Sequence, residues 1–416
     1  MRETSETLRS DVLISGGGLV GQTLALALAH HGLSVQIVDP ADPVATIAPG
    51  FDGRASAIAS ATWQMFEVLG IADRLAGHGC PIRAIRVGDG APDSGSDGEL
   101  DFVTADGDPP LGTMIENRQL RLTLAAALAD APLVRLLMPA TVVSRDIDVH
   151  GVTLALADGT RLAAPVLIVA EGRRSPTRDA AGFSIASWSY HHHAMIGAVA
   201  HERPHGSVAH EIFYPSGPFA LLPLVDDEQG RHRSAFVWTV SEKDGPGFAK
   251  LGDRGFVAEL QKRAGGVLGT MELVAPRMTY PLGFHHSASI VADRIALVGD
   301  AAHGIHPIAG QGLNLGLRDV AALAEVLVDG ARLGLDLGDA ALLARYQRWR
   351  GLDNMMVSLA TDGLTRLFGI PGRTAAAVRR TGLGAVQRMP MLKRFFMDEA
   401  RGEAGDLPRL LAGAEI

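Results

Sequence analysis

At 416 residues the chain is too long for one ordinary core, and 47% apolar with 20% charged residues describes a globular protein of about two domains. A net charge of −8 argues against a general nucleic-acid binder, and no run of about 18 apolar residues offers a membrane span. The single cysteine, Cys80, excludes an intrachain disulfide, and the first ten residues, MRETSETLRS, hold no apolar signal core, so a reducing cellular interior is expected.

Asp11 to Ser15 (DVLIS) reads as a short buried strand, and GGGLVG follows at once. Gly16, Gly18 and Gly21 have GxGxxG spacing, LVGQTLALALAHHG carries a helical Leu/Ala period, and the next strand, SVQIV, ends in Asp39. In that order the parts have a mechanism. Gly16 makes the turn, Gly18 lets the backbone reach a pyrophosphate, Gly21 lets helix and strand pack closely, and Asp39 accepts from a ribose. A dinucleotide site is expected here. Arg54, in GFDGRASAI, is in a loop where an arginine is usually just solvated; beside a pyrophosphate its planar fork would be a phosphate ligand. The pattern it opens predicts a helix to about Leu69. Residues 88–110 read as a surface excursion, and Ile115 to Leu128 predicts an amphipathic helix capped by Asn117.

LVRLL, TVVSRDI and VTLALADGTRL predict a meander with a turn at Asp158-Gly159, and PVLIVA predicts a buried strand ending at Glu171-Gly172. Between Phe183 and Tyr280 the helical rhythm stops. HAMIGAVA, VAHEIFY, FALLPLV and HRSAFVWTV read as a mostly antiparallel sheet, with one helix over Gly255 to Ala264. His191 to His193 make a poor metal set, since strand neighbours point to opposite faces and no cysteine supports them. The stretch IALVGDAAHGIHPIAGQGLNLGLRD, Ile295 to Asp319, begins as a buried strand with Asp300 at its carboxyl end. A loop with Gly304, Pro307, Gly310 and Gly312 leads on, and Asn314 to Asp319 opens a long helix whose entrance offers free N–H groups. A tight turn with a capping aspartate would explain this stretch alone. The first glycine motif makes a ligand site the better reading. Beyond it the chain reads as helical. Between Leu364 and Met397 it carries Arg366, Arg373, Arg379, Arg380, Arg388, Lys393 and Arg394 and no acid. That composition fits an interfacial helix on anionic lipid, or solvated arginines on a packed helical pair.

Three motifs in this order, Gly16 to Gly21, Glu171-Gly172 and Gly299-Asp300, resemble those of the flavin-dependent aromatic hydroxylases, the p-hydroxybenzoate-hydroxylase-like, single-component FAD monooxygenases, over about residues 1–350. HPIAGQGLNLGLRD at His306 to Asp319 and GPFALLPL at Gly217 to Leu224 are most similar to the UbiH-type ubiquinone-biosynthesis hydroxylases. The resemblance implies an α/β fold with a Rossmann-like FAD-binding domain in two parts, 1–182 and 281–350. A mostly antiparallel β-sheet substrate domain, 183–280, would be inserted between them, and a helical C-terminal region, 351–416, would follow.

The resemblance also implies a site. Gly16, Gly18, Leu19, Val20, Gly21 and Asp39 would bind the ADP part of FAD, Arg54 its pyrophosphate, and the backbone of Val142 the adenine side. Asn117 or Arg118 would stand near the flavin, Asp300 on the ribityl chain and Pro307 near the ring. Past Gly310, the backbone of Gly312, Leu313 and Asn314 would meet the pyrimidine end. The family's second motif normally has Asp where this chain has Glu171, and the extra methylene bears on its contact with a pyridine nucleotide.

The implied chemistry is the flavin's own: reduced FAD and O2 give a flavin hydroperoxide that hydroxylates the aromatic ring of a polyprenylated phenol in ubiquinone biosynthesis. NAD(P)H would be the reductant, docking without a glycine motif of its own, or a separate electron-transfer protein would serve. No metal is called for, and no catalytic side chain stands out. A ubiquinone-biosynthesis complex and the membrane surface, reached through 364–397, are the implied partners, with a cytoplasmic location peripheral to the inner face. The rivals are an FAD hydroxylase of another aromatic compound, a prenyl reductase on the same fold, and a non-catalytic flavin scaffold. A flavin halogenase is disfavoured, because none of Trp63, Trp188, Trp238 and Trp349 lies in a tryptophan-rich halogenase motif.

Overall fold

The computed structural model describes residues 7–90, 99–305, 310–370 and 372–416. Its centre is a six-stranded sheet in the order Val291–Ala292, Ile295–Leu297, Val166–Val169, Val12–Ser15, Val35–Val38, Val134–Leu137. All pairs are parallel except the first. Val12–Ser15, Val35–Val38 and Val166–Val169 are buried along their whole length, as continuous apolar runs require when helices cover both faces. The helices Leu19–His30 and Gln311–Arg332 pack in the same core, with Leu24, Leu28, Val320, Leu323 and Leu327 fully buried. Every parallel strand has its carboxyl end on one edge. Ser15-Gly16, Val38-Asp39, Val169 with Glu171, and Leu297 with Asp300 therefore share it.

A second sheet of nine strands lies beyond, following the order His303–Gly304, Met278–Ser287, Ile185–His201, His232–Ser241, Gly217–Leu224, Val208–Tyr214, Ala84–Asp89, Glu99–Val103; Met271–Leu273 pairs with Ile185–His201 off this path. One face of it packs on the helix Asp253–Ala264 through Met195, Phe219, Leu221, Phe236, Trp238, Phe256 and Leu260. Two smaller sheets complete the β-structure: Thr7–Arg9, Arg161–Ala164, Gly151–Leu156 and Val142–Asp148 form one, and Ala55–Ala59, Gly112–Glu116 and Gly79–Ile82 the other. After Gln311 the chain is helical: Gln311–Arg332, Ala340–Gly369, Arg373–Arg388 and Pro390–Arg401.

Several sequence expectations change. The large sheet takes in Ala84–Asp89 and Glu99–Val103, which lie before the 183–280 stretch expected to hold it and partly inside the expected surface excursion. Ala55–Ala59 is a strand, and only Ser60–Val68 of that pattern is helix. Val134–Leu137 joins the parallel sheet, so the meander consists of Val142–Asp148, Gly151–Leu156 and Arg161–Ala164 alone. Asn117 is the first residue of its helix and not its cap, because Glu116 is the last residue of a strand paired with Ala55. The long helix starts at Gln311, which puts Asn314 and Asp319 inside it.

Candidate active site

The first glycine turn shows why each glycine is needed. Gly16 has φ +113, and a Cβ there would lie 2.3 Å from the Ala170 carbonyl; a Cβ on Gly21 would lie 2.0 Å from the Gly16 carbonyl. Strand and helix touch backbone to backbone, which no other residue permits. A Cβ on Gly18 would meet nothing within 4 Å, so that side of the turn is open. Asp39 accepts from the N–H of Gly17 and of Ala41 at 2.7 Å each, and its carbonyl accepts from Ala140 at 2.8 Å, which brings the segment leading to Val142 to the same edge. Val142 itself is half-buried and pairs with Leu156.

The third motif meets the first. A Cβ on Gly299 would lie 3.3 Å from Cγ2 of Val20, and one on Gly316 would lie 3.1 Å from Cα of Gly299. Asp300 follows in a single 3-10 turn. Its side chain is exposed, yet burial raises its pKa. Exposure with crowding is the signature of a concave wall. The backbone of Asp300 is fixed by His285, whose Nε2 is 2.7 Å from the Asp300 carbonyl; burial pushes His285 down to about 4, so the ring is neutral near pH 7 and Nε2–H donates. Tyr280, on the edge of the large sheet, is raised by burial and then by the Asp300 charge, which places that edge beside the same wall.

Asn314, expected at the pyrimidine end of the flavin, is a structural tie. Its Oδ1 accepts from Ala59 N at 2.9 Å and from Thr62 Oγ1 at 3.3 Å, while Nδ2 donates to the Ala57 carbonyl at 2.8 Å. The side chain thus clamps the entrance of Gln311–Arg332 to Ala55–Ala59. Gly310 caps that entrance with φ +64, Gly312 faces open space, and Leu313 is half-buried. Pro307 lies outside the described residues.

Arg54, Asn117 and Arg118 stand close together but point to other partners. Arg54 donates from Nε and Nη2 to Asp52 at 2.9 and 2.5 Å. Asn117 accepts from Ser56 at 2.7 Å, and Arg118 donates to the Ala48 carbonyl at 2.7 Å. The Glu171 carboxylate is saturated: it accepts from Ser15 at 2.5 Å, from Ser175 at 2.6 Å, and from the hydroxyl and N–H of Thr177 at 2.6 and 3.0 Å. The second motif therefore ties two strand ends to the short helix Pro176–Ala180.

The sequence reading missed the group behind Asp300. Asp319, 0% exposed, accepts from Gly299 N at 3.0 Å, Arg350 Nε at 2.8 Å and Asn354 Nδ2 at 3.1 Å, and holds His303 Nε2 at 2.6 Å. Burial alone would raise its carboxyl, but His303 and Arg350 outweigh burial and hold it well below the usual carboxylate range. The spacing in GLRDVAALAEVLV puts Asp319 in line with Ala322, Leu323 and Val326, on the apolar side of a helix, which is a signal of burial. Asp319 had been given the role of helix entrance.

The basic segment divides into packed and exposed cations. Arg379 is 5% exposed, lies 3.2 Å from Asp89 and donates to the Ile370 carbonyl at 2.8 Å. Arg380 reaches the same carboxylate at 3.8 Å and Arg366 holds Asp362 at 2.7 Å. These cations pack the helices onto the sheet. Arg388 and Arg394 are exposed, next to Met391 at 87% and Phe395 at 53% exposure. Among the described residues no helix is long and apolar enough to cross a membrane. The one metal-type cluster among them, His30, His31 and Glu415, lies at the carboxyl end of Leu19–His30, the end of that helix away from the glycine turn.

A parallel sheet with two glycine-opened helix entrances on one edge is built for a ligand that brings acceptors. Among the described residues, the entrances of Leu19–His30 and Gln311–Arg332 show no side-chain cap and no acid in their first turns, the local pattern of helix entrances that face an acceptor-bearing ligand. This arrangement, with the facing nine-stranded sheet, defines a flavoprotein hydroxylase fold. The FAD binding domain family matches residues 9–352, and the chain belongs to it. It is 45% identical over 410 residues to the ubiquinone hydroxylase UbiL of Rhodospirillum rubrum, covering 98% of this chain and 94% of that protein. To the 3-demethoxyubiquinol 3-hydroxylase of Escherichia coli it is 33% identical over 401 residues, covering 94% and 98%. The solved structure of p-nitrophenol 4-monooxygenase PnpA from Pseudomonas putida shares the fold, with a TM-score of 0.78 at 19% identity over 97% of this chain and 100% of that one. The protein is an FAD-dependent monooxygenase.

Proposed function

We propose that the chain hydroxylates the aromatic ring of a polyprenylated phenol in ubiquinone biosynthesis, with NAD(P)H as reductant. The observation that carries this reading is the 45% identity to a ubiquinone hydroxylase along nearly the whole of both chains. The site supports it. Bound FAD supplies electron transfer and oxygen activation. Gly16, Gly18, Leu19, Val20 and Gly21 offer backbone to its pyrophosphate and Asp39 an acceptor to its adenosine ribose, with Val142 on the adenine side. Asp300 accepts from the ribityl chain, and Gly310, Gly312, Leu313 and Asn314 lie along the ring. Arg54 must leave Asp52 to reach the pyrophosphate. Asn117 and Arg118 act through the loop they hold.

The substrate's tail belongs to a bilayer, so the enzyme must meet it at a surface or in an assembly of biosynthetic proteins. The exposed Met389, Met391 and Phe395 beside Arg388 and Arg394 fit an anionic lipid surface. Co-sedimentation with anionic vesicles should fall when Met391, Phe395, Arg388 and Arg394 are replaced together; equal recovery would leave these residues a packing or assembly role only.

The activity test uses FAD-loaded protein, NADH or NADPH, O2 and a phenol with a short isoprenoid tail. Hydroxylation adds one oxygen to the product. A product gaining two hydrogens would make it a prenyl reductase, and reductant oxidation indifferent to the phenol would make it a scaffold.

A further inference from the structure

The face of the large sheet turned away from Asp253–Ala264 can be read from its register. Ala194, Ile196 and Ala198 lie on it, and pairing carries it to Ala235 and Val237, then to Ala220 and Leu222, and then to Ala209, Glu211 and Phe213. This face meets the cofactor wall. Ala198, Ala209 and Ala235 share a cluster with Ala55 and Ala57, and the Ala57 carbonyl is the acceptor of Asn314. At the other end Phe213 stacks on Phe368 of Ala340–Gly369, centroids 3.7 Å apart. Alanines at five positions, Ala194, Ala198, Ala209, Ala220 and Ala235, keep the side chains of this face short.

Glu211 stands in the middle of that face. Ala209 and Phe213 flank it on its own strand, and Ala220 and Val87 lie opposite on the neighbouring strands. Among the described residues it has no hydrogen-bond or ion-pair partner, and the charged groups around it are engaged elsewhere. Asp89 is held by Arg379 and Arg380, Asp362 by Arg366, and Arg233 by Glu116 at 3.0 Å. The strand Gly217–Leu224 carries no ionisable group. Its side chain is half-buried, so it borders accessible space and not sealed core. An unpaired carboxylate among apolar residues costs stability, and no contact on this face offsets the cost.

The geometry points to Glu211 as the general base of the substrate site, accepting the proton of the phenol hydroxyl. This assignment rests on the reading of the protein as a phenol hydroxylase. In the step, the phenolic O–H bond breaks and its proton passes to the carboxylate. The electron pair stays on oxygen and spreads to the ortho and para carbons, which makes them better acceptors of an electrophilic oxygen. The proton leaves to water when product departs. Burial pushes Glu211 up to about 7, which matches a base that must take a proton and give it back near neutral pH.

The test compares FAD-loaded parent, Glu211→Gln and Glu211→Asp on a short-tailed prenylphenol. It scores oxygenated product, reductant consumed and bound FAD from pH 5.5 to 9. The expected result is a hydroxylation loss of about 10²-fold or more in the Gln variant. FAD content should stay at parent level, the acidic limb of the parent profile should vanish, and the Asp variant should recover in part. A fluorinated phenol already ionised at neutral pH should restore much of the Gln variant's rate, which a merely structural residue would not produce. Equal rates and equal pH limbs in parent and Gln variant, or a loss that ionised phenols do not relieve, would overturn the assignment of Glu211. A parent that oxygenates no phenol would overturn the reading beneath it as well.

Discussion

Two carboxylates lie among apolar residues in this molecule and are treated in opposite ways. Asp319, at the junction of two helices, is surrounded by donors and held ionised. Glu211, on the opposite face of the large sheet from Asp253–Ala264, has no donor among the described residues and is pushed toward neutrality by burial. A buried charge that is fully partnered can be part of the frame. One left unpartnered is a standing cost, and such costs collect where chemistry is done. The frame region and the working region of the site differ in whether their charges are satisfied.

The sharpest way to break the comparison is at Asp319. Replacing it by Ala strips Arg350 of its main partner and frees the Gly299 N–H next to Asp300. A loss of about 3–5 kcal/mol is expected from breaking this buried pair, since Asp353, 30% exposed, would be the guanidinium's remaining counter-charge. Chemical denaturation of apoprotein and holoprotein measures it, and FAD content should fall in parallel. The sign of the pH dependence follows from the depressed carboxyl: its contribution is present above the unfolded value and is lost only in strong acid.

Glu211 should behave in the opposite sense. Its folded pKa lies above the unfolded value, so the charged form is penalised in the fold. The penalty is absent below about 4.5, grows toward 7 and is complete above it. Glu211→Leu should therefore stabilise the protein by about 1–3 kcal/mol at pH 8 and by nothing measurable at pH 4.5, while abolishing hydroxylation. A destabilised Leu variant at pH 8 would mean that Glu211 has a partner in solution.

Asp300 tests the wall itself. It is exposed and has no side-chain hydrogen bond among the described residues, so Asp300→Ala should leave apoprotein stability nearly unchanged. It should weaken FAD by about 1.5–3 kcal/mol, roughly tenfold or more, through the lost charge-assisted bond to the ribityl chain. Fluorescence titration of apoprotein with FAD reads this directly, and parent-like affinity would move the ribityl chain elsewhere.

How far the sequence carried these assignments follows from the range of the forces involved. The buried strands Val12–Ser15 and Val166–Val169 and the turn at Gly16 to Gly21 were legible because burial on both faces and backbone contact at a glycine leave local marks. Ala55–Ala59 was misread because alanine-rich ASAIASA fits a helix, and only pairing with Gly112–Glu116 makes it a strand. Val134–Leu137 went to the wrong sheet for the same reason. Asp319 lies in a motif that was recognised, but its donors are more than ten residues away in either direction. Glu211 could not be found at all. In VAHEIFY, His210 and Glu211 are adjacent and equally polar, and only the register with Ala220 decides which one faces the cofactor wall. Arg379 looked free until a fold supplied Asp89.

The smallest effect is expected at Asp52, and it asks whether having partners or being buried makes Asp319 matter. Asp52 is also well partnered: Arg54 lies 2.5 Å away and Arg121 3.6 Å. The difference is exposure, since the Arg54 side chain is 41% and Asp52 32% exposed. Water and salt screen such a pair, so Asp52→Asn should change stability by no more than about 1 kcal/mol. Even that difference should shrink as salt rises from about 0.05 to 0.5 M. The same change removes an anion that competes with the FAD pyrophosphate for Arg54. FAD should therefore bind as tightly or somewhat more tightly, with the gain lost in Asp52→Asn combined with Arg54→Ala. If Asp52→Asn instead cost as much as Asp319→Ala, the number of partners and not their burial would govern, and the contrast between Asp319 and Glu211 would need a different cause.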